Sequence, residues 1–313
     1  FEAGETVEVA PGGMATENVF DRYDLFAEVG AEMEVPDLAE TVRRELGLGG
    51  ARNCLVVLNT IREALDLFLL IDESGWAADY RRFHLSTNLR PKDRRKILRE
   101  IAGSSEGVVV VSTQVVEAGL DLSFDAVVRA LAPLDSIVQA AGRSNRHGTG
   151  PRGRVRVVQV KGNSGRKVYG SVHLDVAASL CRQIAGGPVP EPELRRHVPQ
   201  YFQELKGRIA QDRAREILEG VRMMEFASLR GAGIGKESAK RRVILIEDQR
   251  NRVPHFVETD EADRSVWEQF QAALEQRDGW ERRRAIRALR NEVGQRIVEV
   301  PLNCAMEGEP DPR

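Results

Sequence analysis

This sequence has few cysteines, no long apolar run and no excess of positive charge. Each of these features argues against a class of protein. Only three of the 313 residues are cysteines, namely Cys54, Cys181 and Cys304, and they lie far apart. An odd, scattered set argues against a disulfide framework and against a thiolate metal site, and it predicts a reducing, cytoplasmic location. No apolar run approaches membrane-spanning length, so we expect no membrane partner.

The charge balance is nearly even, with 46 Lys and Arg against 48 Asp and Glu and a formal net charge of −2. Any contact with nucleic acid must therefore be local rather than a property of the whole surface. A hydrophobic content of 42% beside a charged content of 30% is typical of a folded globular chain rather than a disordered one. The length is sufficient for two domains.

The first half of the chain alternates strands and helices. Buried apolar runs predict strands at 54–58, 81–85, 108–111, 126–130 and 155–160. Helical spacing and capping residues predict helices at 38–46, 60–71, from 91 onwards, and 136–145. This order predicts an α/β fold class with a mostly parallel sheet and helices on both faces, in which ligands bind beyond the carboxyl ends of the strands.

The pattern changes after about residue 162. A glycine-bearing loop is predicted at 162–170, helix at 191–228, a hairpin between 242–248 and 252–258, and two charged helices at 262–277 and 280–291. We therefore predict three parts. Residues 1–18 are a linker or the remnant of a preceding lobe, 19–165 are an α/β lobe, and 166–313 are an accessory α+β region.

The stretch from Val108 to Gly148 carries the polar residues of greatest functional interest. The strand at 108–111 ends in Ser112 and Thr113, and an acidic, glycine-bearing loop follows with Glu117, Gly119 and Asp121. Next come Gln139, Arg143 and Arg146, whose i, i+4 and i+7 spacing predicts one face of one helix. An amide and two guanidiniums directed together suit a polyphosphate, because arginine combines a permanent charge with a planar donor fork.

Each of these residues also has a simpler interpretation. The arginines could form a solvated helix face, and Gln139 could complete an S-x-x-Q capping box with Ser136. Gly142, which costs a helix about 1 kcal/mol relative to alanine, favours a close approach by a ligand or backbone. Ser112 and Thr113 could merely end a strand rather than contact a nucleic-acid phosphate. The loop acids could be ordinary surface residues rather than a coupling element.

Together these residues resemble the second RecA-like lobe of superfamily 2 helicases. Asn59–Thr60 after CLVVL resembles motif IV, Ser112–Thr113 with the following acidic loop resembles motif V, and Gln139–Gly142–Arg143–Arg146 resembles motif VI. The match is closest to one family, the CRISPR-associated helicase of type I systems, a helicase–nuclease recruited by Cascade. The segments that resemble it are VSTQVVEAGLDLSFD and the following LAPLDSIVQAAGRSNRHG. The segment FHLSTNLRPKDRR (83–95) resembles that family too.

The resemblance implies a role for each matching residue. Arg143 and Arg146 would be catalytic arginine fingers that reach the γ-phosphate of ATP, an effect typically worth about 10³ to 10⁵ in rate. Gln139, Gly119 and Asp121 would help to bind nucleotide, and Glu117 would couple the nucleotide to the nucleic acid. Residues lining the path of single-stranded DNA would be Asn59, Thr60, Ser86, Ser112 and Thr113.

The resemblance also implies partners that this segment does not contain. ATP and Mg²⁺ would be held mainly by a first RecA-like lobe, and the other expected partners are a nuclease domain and the Cascade effector complex. GAGIGKES (231–238) resembles a phosphate loop, but its two glycines are one residue too close together. Glu237 also occupies the position at which a Ser or Thr hydroxyl binds the metal ion in a true phosphate loop. DEAD (260–263) lies downstream of motif VI, the reverse of the family order, and fits the start of a charged helix. No His-Asp dipeptide occurs, so we expect no metal site here.

Some alternatives stay open at this point. The lobe could belong to another superfamily 2 motor, such as an RNA helicase or a restriction translocase, or it could be a non-catalytic docking module on a motor fold. The basic run at 277–296 is slightly favoured as a solvated helix face, with contact to a phosphate backbone as the alternative.

Overall fold

Seven strands form the central sheet of the protein. The computed structural model describes residues 21–47, 50–117, 121–162, 164–208, 218–224 and 252–301. The sheet has the order β3-β4-β2-β5-β6-β1-β7; every adjacent pair is parallel except β1 and β7. The strands are β1 (Tyr23–Met33), β2 (Asn53–Val57), β3 (Tyr80–Leu85), β4 (Gly107–Ser112), β5 (Ala126–Ala130), β6 (Gly153–Val160) and β7 (Val189–Pro190).

Helices cover both faces of this sheet. The helices are α1 (Val35–Gly47), α2 (Ile61–Glu73), α3 (Pro91–Ala102), α4 (Leu134–Ala141), α5 (Ser164–Tyr169), α6 (Ser171–Gln183) and α7 (Glu191–Arg208). Buried side chains of α1 and α2, such as Val42 and Leu67, share one core with alternate residues of β2, β4 and β5. Those of α3, α4, α6 and α7, such as Ile137 and Tyr201, share the core on the other face. The predicted fold class is therefore confirmed.

The five predicted strands are all present, to within a few residues at their ends. Strand β1 was not predicted; its sequence YDLFAEVGAEM mixes apolar, charged and glycine residues and has no apolar run as long as those of β2 and β4. Its inward residues Leu25 and Ala27 are nonetheless buried beside β6. The predicted loop at 162–170 was wrong in one respect, since Ser164–Tyr169 forms the short helix α5.

The predicted boundary at residue 165 falls inside α5. Helices α6 and α7 and strand β7 pack against β1, and their side chains Val176, Leu194 and Leu205 belong to the core of the lobe. The packing of the first unit thus extends to Arg208. Apolar residues at helical spacing in 171–205 carry this signal, but composition alone did not show which sheet they would cover.

The accessory region is built from β8 (Arg252–Phe256), α8 (Glu261–Glu275), α9 (Gly279–Gly294) and β9 (Ile297–Pro301), in which β8 and β9 pair antiparallel. The described partner of β8 is β9, whereas the predicted strand at 242–248 lies outside the described residues. The imitation phosphate loop at 231–238 and the segment 1–18 also lie outside them. Within the predicted helical segment 191–228, α7 is described, and so is a short piece at 218–224.

One buried carboxylate fixes the accessory region to the lobe. Asp263, fully buried, accepts hydrogen bonds from Arg90 at 2.5 Å, from Arg296 at 2.7 Å and from Lys92. Burial raises the pKa of Asp263, but the hydrogen bonds from Lys92, Arg90, Thr259 and Arg296 outweigh it and hold that pKa well below the usual range. DEAD is therefore the capped start of α8, as predicted, since Asp260 caps the helix and Asp263 anchors it.

In the part of the chain that the structure describes, no helix combines the length and the apolar character that a bilayer crossing requires. Cys54 and Cys181 are buried free thiols, and burial raises the pKa of Cys181 to about 12. Cys304 lies outside the described residues.

Candidate functional site

The carboxyl edge of the sheet brings together the residues predicted to contact nucleic acid. Val57 and Leu85 both pair with Ser112, so β2, β3 and β4 end at the same level. The residues that follow these strand ends are Asn59 and Thr60 after β2, Ser86 after β3, and Thr113 after β4. These residues therefore lie at one edge of the sheet.

Several of these hydroxyls already have partners within the protein. Ser112, fully buried, donates through Oγ to the carbonyl oxygens of Leu85 and Thr113, both at 2.9 Å. Thr60 forms the predicted capping box with Glu63 at the start of α2. Ser86 Oγ is buried without a hydrogen-bond partner among the described atoms. The contact of these residues with nucleic acid stays a prediction.

A buried polar network around Arg129 lies directly behind this edge, and it was not predicted. Arg129, in the fourth position of β5, is fully buried. Its guanidinium donates to Asn59 Oδ1 at 2.7 Å and to the Tyr169 hydroxyl at 2.9 Å, and lies 3.0 Å from the Glu117 carboxylate. Gln114 Nε2 donates to the Asn59 carbonyl and to the Tyr169 hydroxyl. The signal in the sequence was a single arginine inside the apolar strand AVVRA.

Asn59 is held from two sides. Its Nδ2 donates to the Leu131 carbonyl at 3.0 Å while its Oδ1 accepts from Arg129. Gly165 in α5 lies so close that a Cβ there would be 3.0 Å from Asn59 Nδ2 and 2.8 Å from Leu174 Cδ1. Helix α5 thus closes over the motif IV residue. A cleft of about 260 Å³ opens beside it, lined in part by Glu32, Gln159 and Arg166.

The arginine cluster differs from the prediction. Helix α4 begins at Leu134 and ends at Ala141, so Arg143 and Arg146 follow the helix in a turn and do not share a helix face with Gln139. The chain leaves the helix because the turn pairs with the segment before β5: Phe124 N donates to Arg143 O at 2.8 Å, and Asn145 N donates to Phe124 O at 2.9 Å. These long-range bonds replace the next turn of helix.

One simpler interpretation of this region was also wrong. Ser136 is not the N-cap of α4, because the cap position is Pro133, and no capping box forms with Gln139. Gly142 is the C-cap, and a Cβ there would make ordinary contacts at 3.4 Å with the carbonyl oxygens of Val138 and Gln139. No described atom of the protein therefore requires a glycine at this position, and the close approach of a ligand stays a prediction.

The two arginines lie side by side in unlike surroundings. Arg143 is buried, with 5% of its surface exposed, and its Nη2 donates to the Glu117 carbonyl at 2.5 Å. Arg146 is half-buried and donates through Nε to Asp121 at 2.8 Å. Burial, and after it the positive charge of Arg146, lower the pKa of Arg143. The charges of Asp121 and Glu117 act on that pKa in the opposite direction.

The remaining residues of the predicted nucleotide set are placed differently. Gln139 is exposed on α4, and Asp121 is exposed beside Arg146. Gly119 lies outside the described residues. The arginine turn contacts the amino ends of β5 and β6, since Ser144 lies against Gly153, whereas the predicted nucleic-acid residues lie at the carboxyl ends. The structure thus separates the two predicted sets.

Glu117 spans this separation. Its carbonyl oxygen accepts from Arg143, and its carboxylate pairs with Arg129 and accepts from Ser136. Burial raises the pKa of Glu117, while the charge of Arg129 acts in the opposite direction. One residue of the 113–125 segment therefore contacts the arginine turn with its backbone and the Asn59 network with its side chain.

Comparison with known proteins identifies the region that carries these residues. Residues 50–149 match the family model described as CRISPR-associated nuclease/helicase Cas3, C-terminal. The Cas3 of Haloferax volcanii is 31% identical over 213 residues, which are 58% of this chain and 23% of that relative. The Cas3 of Methanothermobacter thermautotrophicus is 28% identical over 119 residues, 37% of this chain and 13% of that relative. The chain thus spans less than a quarter of either relative.

Solved structures agree on the fold. The crystal structure of T. fusca Cas3 superimposes on 90% of this chain and 36% of its own, with a TM-score of 0.59 and 19% identity. A chain of the CRISPR RNA-guided surveillance complex in its pre-nicking state superimposes on 90% of this chain and 37% of its own, with a TM-score of 0.57 and 20% identity. The RecA-like fold implied by the motifs is confirmed.

Proposed function

Because residues 50–149 match the family model of the C-terminal part of the CRISPR-associated nuclease/helicase Cas3, we propose that this chain is the second motor lobe of an ATP-dependent single-stranded DNA translocase. In this proposal the lobe supplies arginine side chains and DNA contacts, while a first RecA-like lobe holds ATP. Hydrolysis would open and close the cleft between the lobes and draw the DNA strand along.

The observation that carries the proposal is the connection through Glu117. Arg143 and Arg146 lie in a turn fixed by backbone hydrogen bonds, so their charges are held in place before a nucleotide arrives. Preorganised cations of this kind stabilise charge that develops on a transferring phosphoryl group. A shift of the Arg143 guanidinium on binding a γ-phosphate would pull on the Glu117 carbonyl, and the Glu117 carboxylate would pass that shift to Arg129 and Asn59.

The proposal assigns the metal ion to the first lobe. Among the residues with described coordinates, no three His, Cys, Asp or Glu side chains come together as a metal site. The carboxylate nearest to the arginines, Asp121, is paired with Arg146. Mg²⁺ prefers carboxylate and phosphate oxygens, so in this proposal it is held by the first lobe and the phosphates rather than by this chain. Gln139, exposed on α4, and Asp121 remain proposed nucleotide contacts.

The nucleic acid is proposed to follow the carboxyl edge. Thr113, Ser86 and Asn59 lie there at the ends of neighbouring strands. Since the side chain of Ser112 is fully buried and bonded internally, we propose that its role is to position the loop, with direct contact left to Thr60, Thr113 and nearby backbone amides.

The proposed partners follow from the same family. The Cascade effector complex would recruit the intact protein, and a nuclease domain would accompany the two lobes. A reducing cytoplasm is the proposed location, in line with the buried free thiols of Cys54 and Cys181.

The choice of polymer is testable in a protein that carries both lobes. We expect single-stranded DNA to stimulate ATP hydrolysis, and single-stranded RNA of the same length to stimulate it much less. The measurement is the initial rate of phosphate release at saturating ATP, with each polymer varied. Stimulation by RNA alone would instead identify an RNA helicase lobe.

A further inference from the structure

The outer face of α9 segregates charge in a way that the sequence did not show. Helix α9 contains five arginines and two glutamates. At 3.6 residues per turn, one strip of about a third of its circumference carries Trp280, Arg283, Arg284, Arg287 and Arg290. Leu289 and Val293 lie towards the opposite side, which is the less exposed side of the helix. Both glutamates project outside the strip, so its charge is positive throughout.

The side chains of this strip are exposed to solvent. Trp280 is 68% exposed, and the four arginines are exposed along α9. Within the described ranges of the chain, none of these four arginines forms an ion pair, although 18 other arginines do so. A solvated face of a neutral protein normally interleaves both signs of charge. This strip does not.

The exposed tryptophan adds a second kind of contact. The Arg284 guanidinium lies 5.6 Å from the centre of the Trp280 ring, which is the geometry of a cation–π pair. Asp278 caps the helix by accepting from Trp280 N and Glu281 N at 2.8 Å, so the backbone that carries the ring is fixed. An exposed ring among arginines is the arrangement on which proteins stack the bases of a single strand.

The C-terminal end of α9 is attached to the lobe near the carboxyl edge of the sheet. The residue after its last turn, Gln295, accepts from Lys92 N at 3.1 Å, and Arg296 shares Asp263 with Arg90. Arg90 caps α3, a few residues after β3 ends at the carboxyl edge. The C-terminal end of α9 is therefore fixed beside the loop that contains Ser86, which lies at the edge proposed above to contact nucleic acid.

We propose that the α9 strip, defined by Trp280, Arg283, Arg284, Arg287 and Arg290, is a second binding surface for single-stranded nucleic acid. The arginines contact phosphates, and the Trp280 ring stacks on a base. Recognition is independent of sequence because neither contact reads a base edge. The strip spans about 15 Å from its first residue to its last, enough for a short run of nucleotides.

The test needs neither ATP nor a first lobe, so its failure would leave the proposed motor function untouched. A fluorescein-labelled oligonucleotide of mixed sequence, as DNA and as RNA, is titrated with the 313-residue chain, and anisotropy is followed at several salt concentrations. The test variant combines Arg283→Ala, Arg287→Ala and Arg290→Ala. The matched control removes three exposed arginines elsewhere, Arg43→Ala, Arg62→Ala and Arg208→Ala, and so changes the net charge equally.

The test variant is expected to bind roughly tenfold more weakly than the control, with a salt dependence of log K smaller by about two. Oligonucleotide should also quench the tryptophan fluorescence of the chain, and Trp280→Ala should abolish most of that quenching. Binding of RNA alone or DNA alone would identify which polymer occupies the strip. Equal affinities for test and control variants would overturn the proposal, as would an absence of binding by the unsubstituted chain. Capture of an acidic protein by the strip without oligonucleotide binding would also overturn it.

Discussion

Replacing Arg143 by alanine in a protein that carries both lobes is expected to lower ATP turnover by about 10³ to 10⁵ while ATP affinity changes little. A guanidinium that stabilises charge on the transferring phosphoryl group acts mainly in the transition state, so its loss appears in kcat rather than in binding. Arg143 lies beside Arg146 in a turn that backbone hydrogen bonds fix, so its guanidinium is held in place before the phosphoryl group is transferred. Turnover and nucleotide affinity are measured on the same preparation.

Two further variants separate this role from a structural one. Arg143 also donates to the Glu117 carbonyl, so its loss could loosen the loop. Arg62→Ala, a change at an exposed arginine of α2, should leave turnover unchanged. Arg146→Ala removes the half-buried neighbour and should lower turnover with little change in the unfolding midpoint. If Arg143→Ala retained full turnover, the catalytic role of Arg143 would be lost.

Removing the charge of Arg129 is expected to lower the free energy of unfolding by about 3–5 kcal/mol. In Arg129→Met the Glu117 carboxylate, 8% exposed, loses its partner in a setting from which water is largely excluded. The Asn59 side chain and the Tyr169 hydroxyl lose a donor in the same substitution. Chemical denaturation of the chain followed by circular dichroism measures the change. A loss below about 0.5 kcal/mol, typical of a surface substitution, would show that the network is not a stabilising unit.

A second substitution and the pH dependence identify the cause of that loss. Adding Glu117→Gln to Arg129→Met removes the uncompensated charge, so part of the stability should return. In the single variant, burial of Glu117 is no longer opposed by Arg129, and its folded pKa rises further. A carboxyl whose folded pKa is raised loses stability as pH rises from its unfolded pKa through its folded pKa. The deficit should therefore be smaller near about pH 4 than near neutrality.

The parallel sheet was predictable because its central strands are buried on both faces, and their sequences are therefore continuous apolar runs. The run VVVV at 108–111 and the run CLVVL at 54–58 show this most clearly. The alternating strand β1 has no such run, and its place in the sheet is decided by its pairing with β6, which is distant in sequence. No short stretch of sequence indicates a long-range pairing of this kind.

The site was predictable as a set of residue types but not as a geometry. Spacing placed Arg143 and Arg146 on one helix, whereas hydrogen bonds to Phe124 turn the chain out of that helix at Gly142. A coupling role was predicted for Glu117, but the sequence did not show which residues it would connect. The structure shows that Glu117 contacts both Arg143 and Arg129. Helix propensity is weak beside such tertiary contacts, and an arginine inside an apolar strand indicates a buried partner without saying which one.

The most direct test of the half-site is the ATP turnover of the 313-residue chain by itself, compared with the same chain mixed with a polypeptide that supplies the phosphate loop. If this chain supplies only guanidiniums to a triphosphate that the other lobe binds, the isolated chain should hydrolyse ATP at the background rate. The mixture should hydrolyse ATP faster. The double variant Arg143→Ala, Arg146→Ala identifies activity that belongs to the chain. Robust turnover by the isolated chain that disappears in this variant would contradict the division of the ATP site between two lobes.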